Sequence, residues 1–274
     1  MPFKQKLVKE TGLPENILPG SYQIIGDILL LKFMKIRSMK QKRTVAKAIM
    51  KLLPYVKTVC EIKSVKGEFR KPRIIKLAGN GTVTMHKEHG VLYRLDTKKV
   101  MFSKGNLFER QRLAHKIKNE VVVDMFAGIG YFSLGLKDAK KIYAIEKNPV
   151  AFRYLKENIK LNKTKNIKPI LGDNRNVKLP EEADRIIMGY FETKRRRNAS
   201  GSCEKFLKHA VRMLKSKGIV HFHNIYKEKD LWKKPVNEIK KACKGCGIKI
   251  LQKRRVKSIA PRTWHVVLDI EIRK

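Results

Sequence analysis

Acidic residues are scarce in this 274-residue sequence: Asp and Glu total 24 against 64 Lys and Arg, a formal net charge of +40. Self-repulsion at that charge opposes the compact state, so the composition implies a polyanionic partner such as nucleic acid. A thermophile's ion-paired surface explains it poorly, because such surfaces raise both signs together. Cysteine is also sparse. Its 4 residues are too few for a disulfide framework and fit a reducing, cytoplasmic setting. Long apolar runs are missing. The longest, Ile24 to Met34, is interrupted by Gly26, Asp27 and Lys32 and falls short of the ~20 residues that cross a bilayer, so no membrane partner is expected. The opening MPFKQKLVKE lacks the apolar stretch and cleavage site of a signal peptide. Internal repeats and long low-complexity stretches are absent. What remains is 42% hydrophobic residues, enough for one large or two modest cores.

Two patterns follow each other along the chain. Up to Gly20, with Pro14 and Pro19, the sequence reads as a loose arm or short helix. Ile24 to Phe33 reads as one buried strand bent at Gly26-Asp27. Thr44 to Leu53 has helical spacing and stops at Pro54. Val56 to Val65, Ile74 to Leu77, Thr82 to His86 and Val91 to Leu95 read as strands, with a tight turn at Gly79-Asn80-Gly81. Residues 1–100 are therefore expected to form a small α+β domain. From Asn106 short apolar strands alternate with helices. The strands are Val121 to Asp124, Lys141 to Glu146, Lys168 to Leu171, Arg185 to Met188 and Ile219 to Phe222. The helices are Leu107 to Lys118, Val150 to Leu161 and Cys203 to Leu214. That grammar predicts an α/β, Rossmann-like parallel sheet over residues 101–274, closed by a last strand at Trp264 to Ile272.

The chemistry-bearing signals lie at the ends of those strands. Val121-Val122-Val123-Asp124 runs into Met125-Phe126-Ala127-Gly128-Ile129-Gly130, an acidic residue and a Gly-x-Gly turn with a helix expected after it. Gly128 and Gly130 let backbone approach a ligand closely. The turn is not a phosphate loop, because position 133 is Ser133 and no Gly-Lys-Ser/Thr follows. Glu146 ends the next strand, where a carboxylate accepts both hydroxyls of a ribose. Asp173 and Asn174 follow the third strand, where a carboxylate and an amide suit an adenine edge. Acidic residues ending three successive strands line the crevice in which open sheets bind ligands. Helix capping alone does not call for that recurrence.

The runs DMFAGIGYFSLGL, YAIEKNPVAFRYLKENIKLNK and GDNRNV resemble class I S-adenosylmethionine-dependent transferases. IIGDILLL, TMHKEHGVLYRLD, VMFSKGN, the nearby Glu109-Arg110 and APRTWHVVLD resemble one group within them. That group, archaeal and eukaryotic, modifies the purine just 3′ of the tRNA anticodon. It holds guanine-37 N1-methyltransferases and wybutosine-synthesis aminocarboxypropyltransferases. The methyltransferases resemble one another in an Asn-Leu-Pro after the fourth strand. Here the sequence is Met188-Gly189-Tyr190, and the fifth strand reads on through His221-Phe222-His223-Asn224. Both features are similar to the aminocarboxypropyltransferase branch. The resemblance implies S-adenosylmethionine as cofactor and the anticodon stem-loop of tRNA(Phe) as partner. It implies transfer of a 3-amino-3-carboxypropyl group to C7 of 4-demethylwyosine; the chain is expected to work as a cytoplasmic monomer. The resemblance places Ser103 and Arg110 against the cofactor, with Arg110 holding the methionine carboxylate. Arg110, Tyr190 and His223 are the candidate catalytic residues, and Tyr131 and Tyr190 the candidate platforms for a flipped base. The alternatives are a guanine-37 or tricyclic-base methyltransferase, or a non-catalytic tRNA-binding module with a retained adenosine pocket. The segment after Tyr190, FETKRRRNASGSCEK, is longer than in the group.

Other candidates have plainer readings. Cys243-Lys244-Gly245-Cys246 is a lone CxxC beside a helix end. His221 and His223 share one strand face without a third ligand, so no metal is expected. His86 and His89 flank a turn. Lys194 to Arg197 is a basic run placed for RNA phosphate contact, or a solvated loop.

Overall fold

The computed structural model describes residues 2–102, 106–190 and 203–274. The chain divides into two compact units, Met1–Phe102 and Ser103–Lys274. Among the described residues no helix is long and apolar enough to cross a membrane.

In the small unit a four-stranded sheet has the order β1 (Tyr22–Ile25), β2 (Ile28–Leu31), β3 (Thr58–Lys66), β4 (Lys71–Gly79). Helix α2 (Met39–Leu52) crosses from β2 to β3, which is why that pair alone is parallel. Ser38 caps it through Gln41 N, and Val45, Ala46, Ala48 and Ile49 are its buried face. The leading segment is not a loose arm. It forms α1 (Phe3–Thr11), whose Leu7 is fully buried in the core with Leu29, Val45, Ile49 and Val59. Nor is Ile24 to Phe33 one bent strand. It folds back on itself as the β1–β2 hairpin, with Ile25 opposite Ile28 across Gly26-Asp27. The reason lies in the hairpin β5 (Val83–Glu88) and β6 (Val91–Asp96). There His86 Nδ1 accepts from Gly26 N at 3.0 Å and Thr84 Oγ1 donates to Asp27 at 2.6 Å. Gly26 has φ +57°, and a Cβ there would meet Met85 O at 2.4 Å. His86 Nε2 is left to donate to Glu88 at 3.1 Å, a structural use of that histidine.

The large unit is built on a seven-stranded sheet. Its strands are β7 (Val121–Asp124), β8 (Lys141–Glu146), β9 (Ile167–Leu171), β10 (Ala183–Met188), β11 (Leu214–Lys227), β12 (Gly247–Ala260) and β13 (Thr263–Arg273). The order is β12-β13-β11-β10-β7-β8-β9. β7 to β11 are mutually parallel where they pair, and β13 runs antiparallel to both β11 and β12. This is the expected Rossmann-like sheet. The order reverses between β7 and β10, which opens a crevice at their carboxyl ends. The helices are α3 (Leu107–Lys116), α4 (Pro149–Leu161), α5 (Cys203–Met213) and α6 (Lys233–Ala242). The helix expected directly after the Gly-x-Gly turn is reduced to a 3-10 turn at Ser133–Gly135. Gly130 at φ +98° interrupts its start, and the Ser133 hydroxyl bonds Asp124 instead. β12 leaves one edge of the sheet open. Lys249, Lys253 and Arg255 on it are exposed, and its register with β13 breaks three times.

Candidate active site

The carboxyl ends of β7, β8 and β9 are tied together. Asp124 is fully buried and accepts from Ser133 Oγ at 2.7 Å and Phe126 N at 3.3 Å. Burial pushes its pKa up to about 6 against those bonds. Asp124 therefore braces the glycine turn from beneath. Glu146 reaches across to the same turn: Gly128 N donates to Oε2 and Asn148 N to Oε1, both at 2.7 Å. Burial raises its pKa although these amides favour the charge. Each oxygen keeps a lone pair in hand. Gly128 lies at φ +59°, and a Cβ on it would sit 2.4 Å from the Tyr131 ring.

Asp173 and Asn174 turn in from β9. Arg175 holds Asp173 at 2.5 Å and Lys147 at 3.2 Å, and the Arg175 hydrogen bonds hold its pKa well below the carboxylate range. Asn174 donates Nδ2 to Met125 O at 2.8 Å. Its Oδ1 is buried with no donor among the described residues. A buried, unsatisfied acceptor beside a glycine turn and a half-used carboxylate is a set that an adenosine fits. Its amine would satisfy the amide and its ribose hydroxyls the carboxylate.

Arg110 on α3 is buried with its guanidinium 5.4 Å over the Tyr131 ring, so the structure brings together Arg110, Tyr131 and Gly128. Tyr190 is buried in an aromatic wall with Phe126 at 5.1 Å and Phe206 at 4.7 Å. Gly189 faces the Phe132 ring, 3.4 Å from where a Cβ would stand. His223 packs edge-on to the same ring at 5.5 Å, with its Nδ1 3.1 Å from His265 Nε2. Burial, then His265, pushes the His223 pKa well down, so its imidazole is neutral. Ser103 and the Lys194 to Arg197 run lie outside the described residues.

Sequence reasoning missed a buried ion network on the other half of the sheet. His221 on β11 donates Nδ1–H to Asp269 on β13 at 2.5 Å, and its Nε2 accepts from Arg185 at 2.9 Å. Arg185 binds Glu120 at 2.5 Å. Arg112 of α3 reaches Asp269 at 2.6 Å and Glu109 at 2.8 Å, and Arg254 reaches Glu109 at 2.8 Å. Burial works against the Asp269 charge, but bonds from His221 and Arg112 hold its pKa far below the usual range. This network anchors α3, and with it Arg110. His221 is thus a packed structural histidine. Cys243 is buried, its thiol pushed up to about 12 by burial and then by Cys246, which leaves it inert.

The profile of the TRM5/TYW2 methyltransferase domain matches residues 84–251, and that of the TYW2 N-terminal domain matches residues 5–82. The chain belongs to the TRM5/TYW2 methyltransferase family. A Methanocaldococcus jannaschii member, the tRNA(Phe) (4-demethylwyosine(37)-C(7)) aminocarboxypropyltransferase, is 43% identical over 92% of this chain and 98% of its own length. The crystal structure of Pyrococcus horikoshii TYW2 in complex with MeSAdo is 36% identical. It superposes with a TM-score of 0.81 over 99% of this chain and 100% of that one. The complex structure of aTrm5 and tRNALeu is 38% identical, with a TM-score of 0.83 over 99% of this chain and 78% of that one. Both branches of the TRM5/TYW2 family thus share this fold.

Proposed function

We propose that the protein transfers the 3-amino-3-carboxypropyl group of S-adenosylmethionine to C7 of 4-demethylwyosine at position 37 of tRNA(Phe), with residues 101–274 as the catalytic domain. The observation that carries this reading is the end of β10. Met188-Gly189-Tyr190 offers no side-chain amide, and Gly189 opens onto Phe132. A guanine nitrogen under attack must give up a proton, and an acceptor at that point is commonly worth ~10²–10⁴-fold. A carbon of an electron-rich tricycle loses its proton after the new bond has formed and depends less on such a group.

The bound S-adenosylmethionine supplies electrophilic carbons on a sulfonium that is already a good leaving group. The chain's own residues bind, orient and shield. Glu146 accepts the ribose hydroxyls, and Asn174 takes the adenine edge beside Asp173, whose oxygens Arg175 and Lys147 occupy. Gly128 admits the backbone close to the ligand, and Asp124 keeps that turn in place. Arg110, with Ser103 nearby in sequence, holds the methionine carboxylate through its guanidinium fork, which selects the carbon presented to the base. Tyr131 is the platform for the flipped base, whereas Tyr190 is spent in the wall with Phe126 and Phe206. The identity to the M. jannaschii aminocarboxypropyltransferase supports this reading, as does the MeSAdo complex of the P. horikoshii relative. Four thiols without a disulfide among the described residues suit a reducing, cytoplasmic setting.

The test is a double-label transfer assay on tRNA carrying 4-demethylwyosine. Label in the methionine carbons should enter RNA while labelled methyl leaves in methylthioadenosine. Methyl label in a guanine-37 transcript, with S-adenosylhomocysteine released, would instead make the protein a methyltransferase. Transfer of neither label would leave a binding module.

A further inference from the structure

The small unit carries a projection that its own packing does not explain. β2 pairs with β3 only from Thr58 to Glu61, so the outer parts of β3 and β4 continue as a bare two-stranded ribbon. Two-stranded ribbons are marginal by themselves. This one is also loaded with like charge. Lys66 stands directly opposite Lys71, and Arg73 stands opposite Ser64. Facing charges of one sign destabilise an antiparallel pair. Lys63, nearer the core, has Glu61 at 2.6 Å. Lys66, Lys71 and Arg73 are exposed and have no carboxylate partner among the described residues. At the tip Arg70 N donates to Gly67 O at 3.2 Å, and Arg70 takes φ +51°. Its guanidinium turns to Met101 Sδ at 3.6 Å, while Phe69 beside it is 46% exposed.

Edge protection accounts for part of this. β4 is the open edge of its sheet, and lysines on edges deter strand pairing. It does not account for an exposed phenylalanine at the tip. A flat aromatic on a ribbon that also carries Lys66, Lys71 and Arg73 is a combination that holds single-stranded nucleic acid: the ring stacks on a base and the cations neutralise phosphates.

We propose that the β3–β4 hairpin is an RNA-contacting finger, in which Phe69 stacks on an unpaired nucleobase of the tRNA and Lys66, Lys71 and Arg73 hold the flanking phosphates. The proposal rests on tRNA being the substrate. It adds a contact made by the small unit. Stacking and phosphate contact leave different signatures. Stacking is salt-insensitive, whereas each phosphate contact adds ~0.7–0.9 to the slope of log affinity against log salt.

The experiment is fluorescence anisotropy of labelled tRNA against the full chain across a KCl series. Phe69→Ala should weaken binding about tenfold at every salt concentration with an unchanged slope. Lys66→Gln/Lys71→Gln/Arg73→Gln should flatten the slope by about 2. Phe69→Trp should keep the affinity, and its added emission, read against the wild type with Trp232 and Trp264, should be quenched by tRNA. Circular dichroism and calorimetric S-adenosylmethionine affinity should be unchanged in all three. Wild-type affinity and slope in both the alanine and the triple variant would overturn the finger while leaving the tRNA reading intact. A wild-type chain without salt-dependent tRNA binding would overturn both.

Discussion

On the β13 side of the large sheet, Asp269 has its oxygens bonded to His221, Arg112 and Lys116. On the β8 side, Glu146 is met only by backbone amides, those of Gly128, Asn148 and Lys147, and Asn174 leaves its carbonyl unmatched. Both sets are carboxylates or amides withdrawn from water in one sheet. They differ in what remains to be bonded. Where the protein itself answers the charges, removing a member exposes its partners and the cost falls on folding. Where acceptors are left over, the cost falls on binding. Between Asp269 and the Glu146–Asn174 pair, the acceptor capacity left over differs more than burial or charge does, although His223 Nε2 and Trp264 Nε1 on the β11–β13 side are unmatched too.

The strongest way to break this contrast is Asp269→Ala. It strands Arg112 and Lys116 beside Arg185 and His221. Urea denaturation should show a loss of about 3–5 kcal/mol, with secondary damage to Arg110 through α3. A loss under 1 kcal/mol would remove the distinction. Asp124 is the intermediate case, buried and satisfied but lifted to about 6. A carboxyl whose pKa rises on folding favours the folded state at low pH. It loses that advantage as pH climbs from its unfolded value of 3.8 to about 6. Across that window the wild type should lose about 3 kcal/mol relative to Asp124→Asn. Parallel stability–pH curves for the two proteins would contradict it. Glu146→Ala should weaken S-adenosylmethionine binding by about 1–3 kcal/mol in calorimetry while moving the unfolding midpoint little. The reverse pattern would put Glu146 with the scaffold. Lys217 lies 3.6 Å from Glu271 at the solvent-facing rim of the same sheet. Lys217→Ala should cost no more than about 0.5 kcal/mol, which marks the floor of the scale.

What could be read in advance follows from how local each determinant is. β7 and β8 begin and end where a run of apolar residues meets an acidic one, so their bounds were visible, and so were Gly128 and Glu146 at their ends. The β1–β2 turn was not, because Gly26-Asp27 is fixed by His86 and Thr84, far along the chain. β12 was missed since its alternation is between half-buried residues and lysines or arginine, which reads as a polar loop until β13 supplies a partner. The ion network was invisible for the same reason. His221 meets Asp269 only because β13 returns antiparallel beside β11.

The open edge on β12 also bears on how copies of this chain meet one another. Its 14 residues offer a row of backbone amides long enough to template another strand. Pairing two such edges would set Lys249, Lys253 and Arg255 of each copy against those of the other, at the ~4.8 Å spacing of neighbouring strands. The three breaks in register would also prevent the amides from falling into step. Charge at the rim thus opposes such pairing. The opposition weakens as salt shortens the ~10 Å range over which those lysines repel.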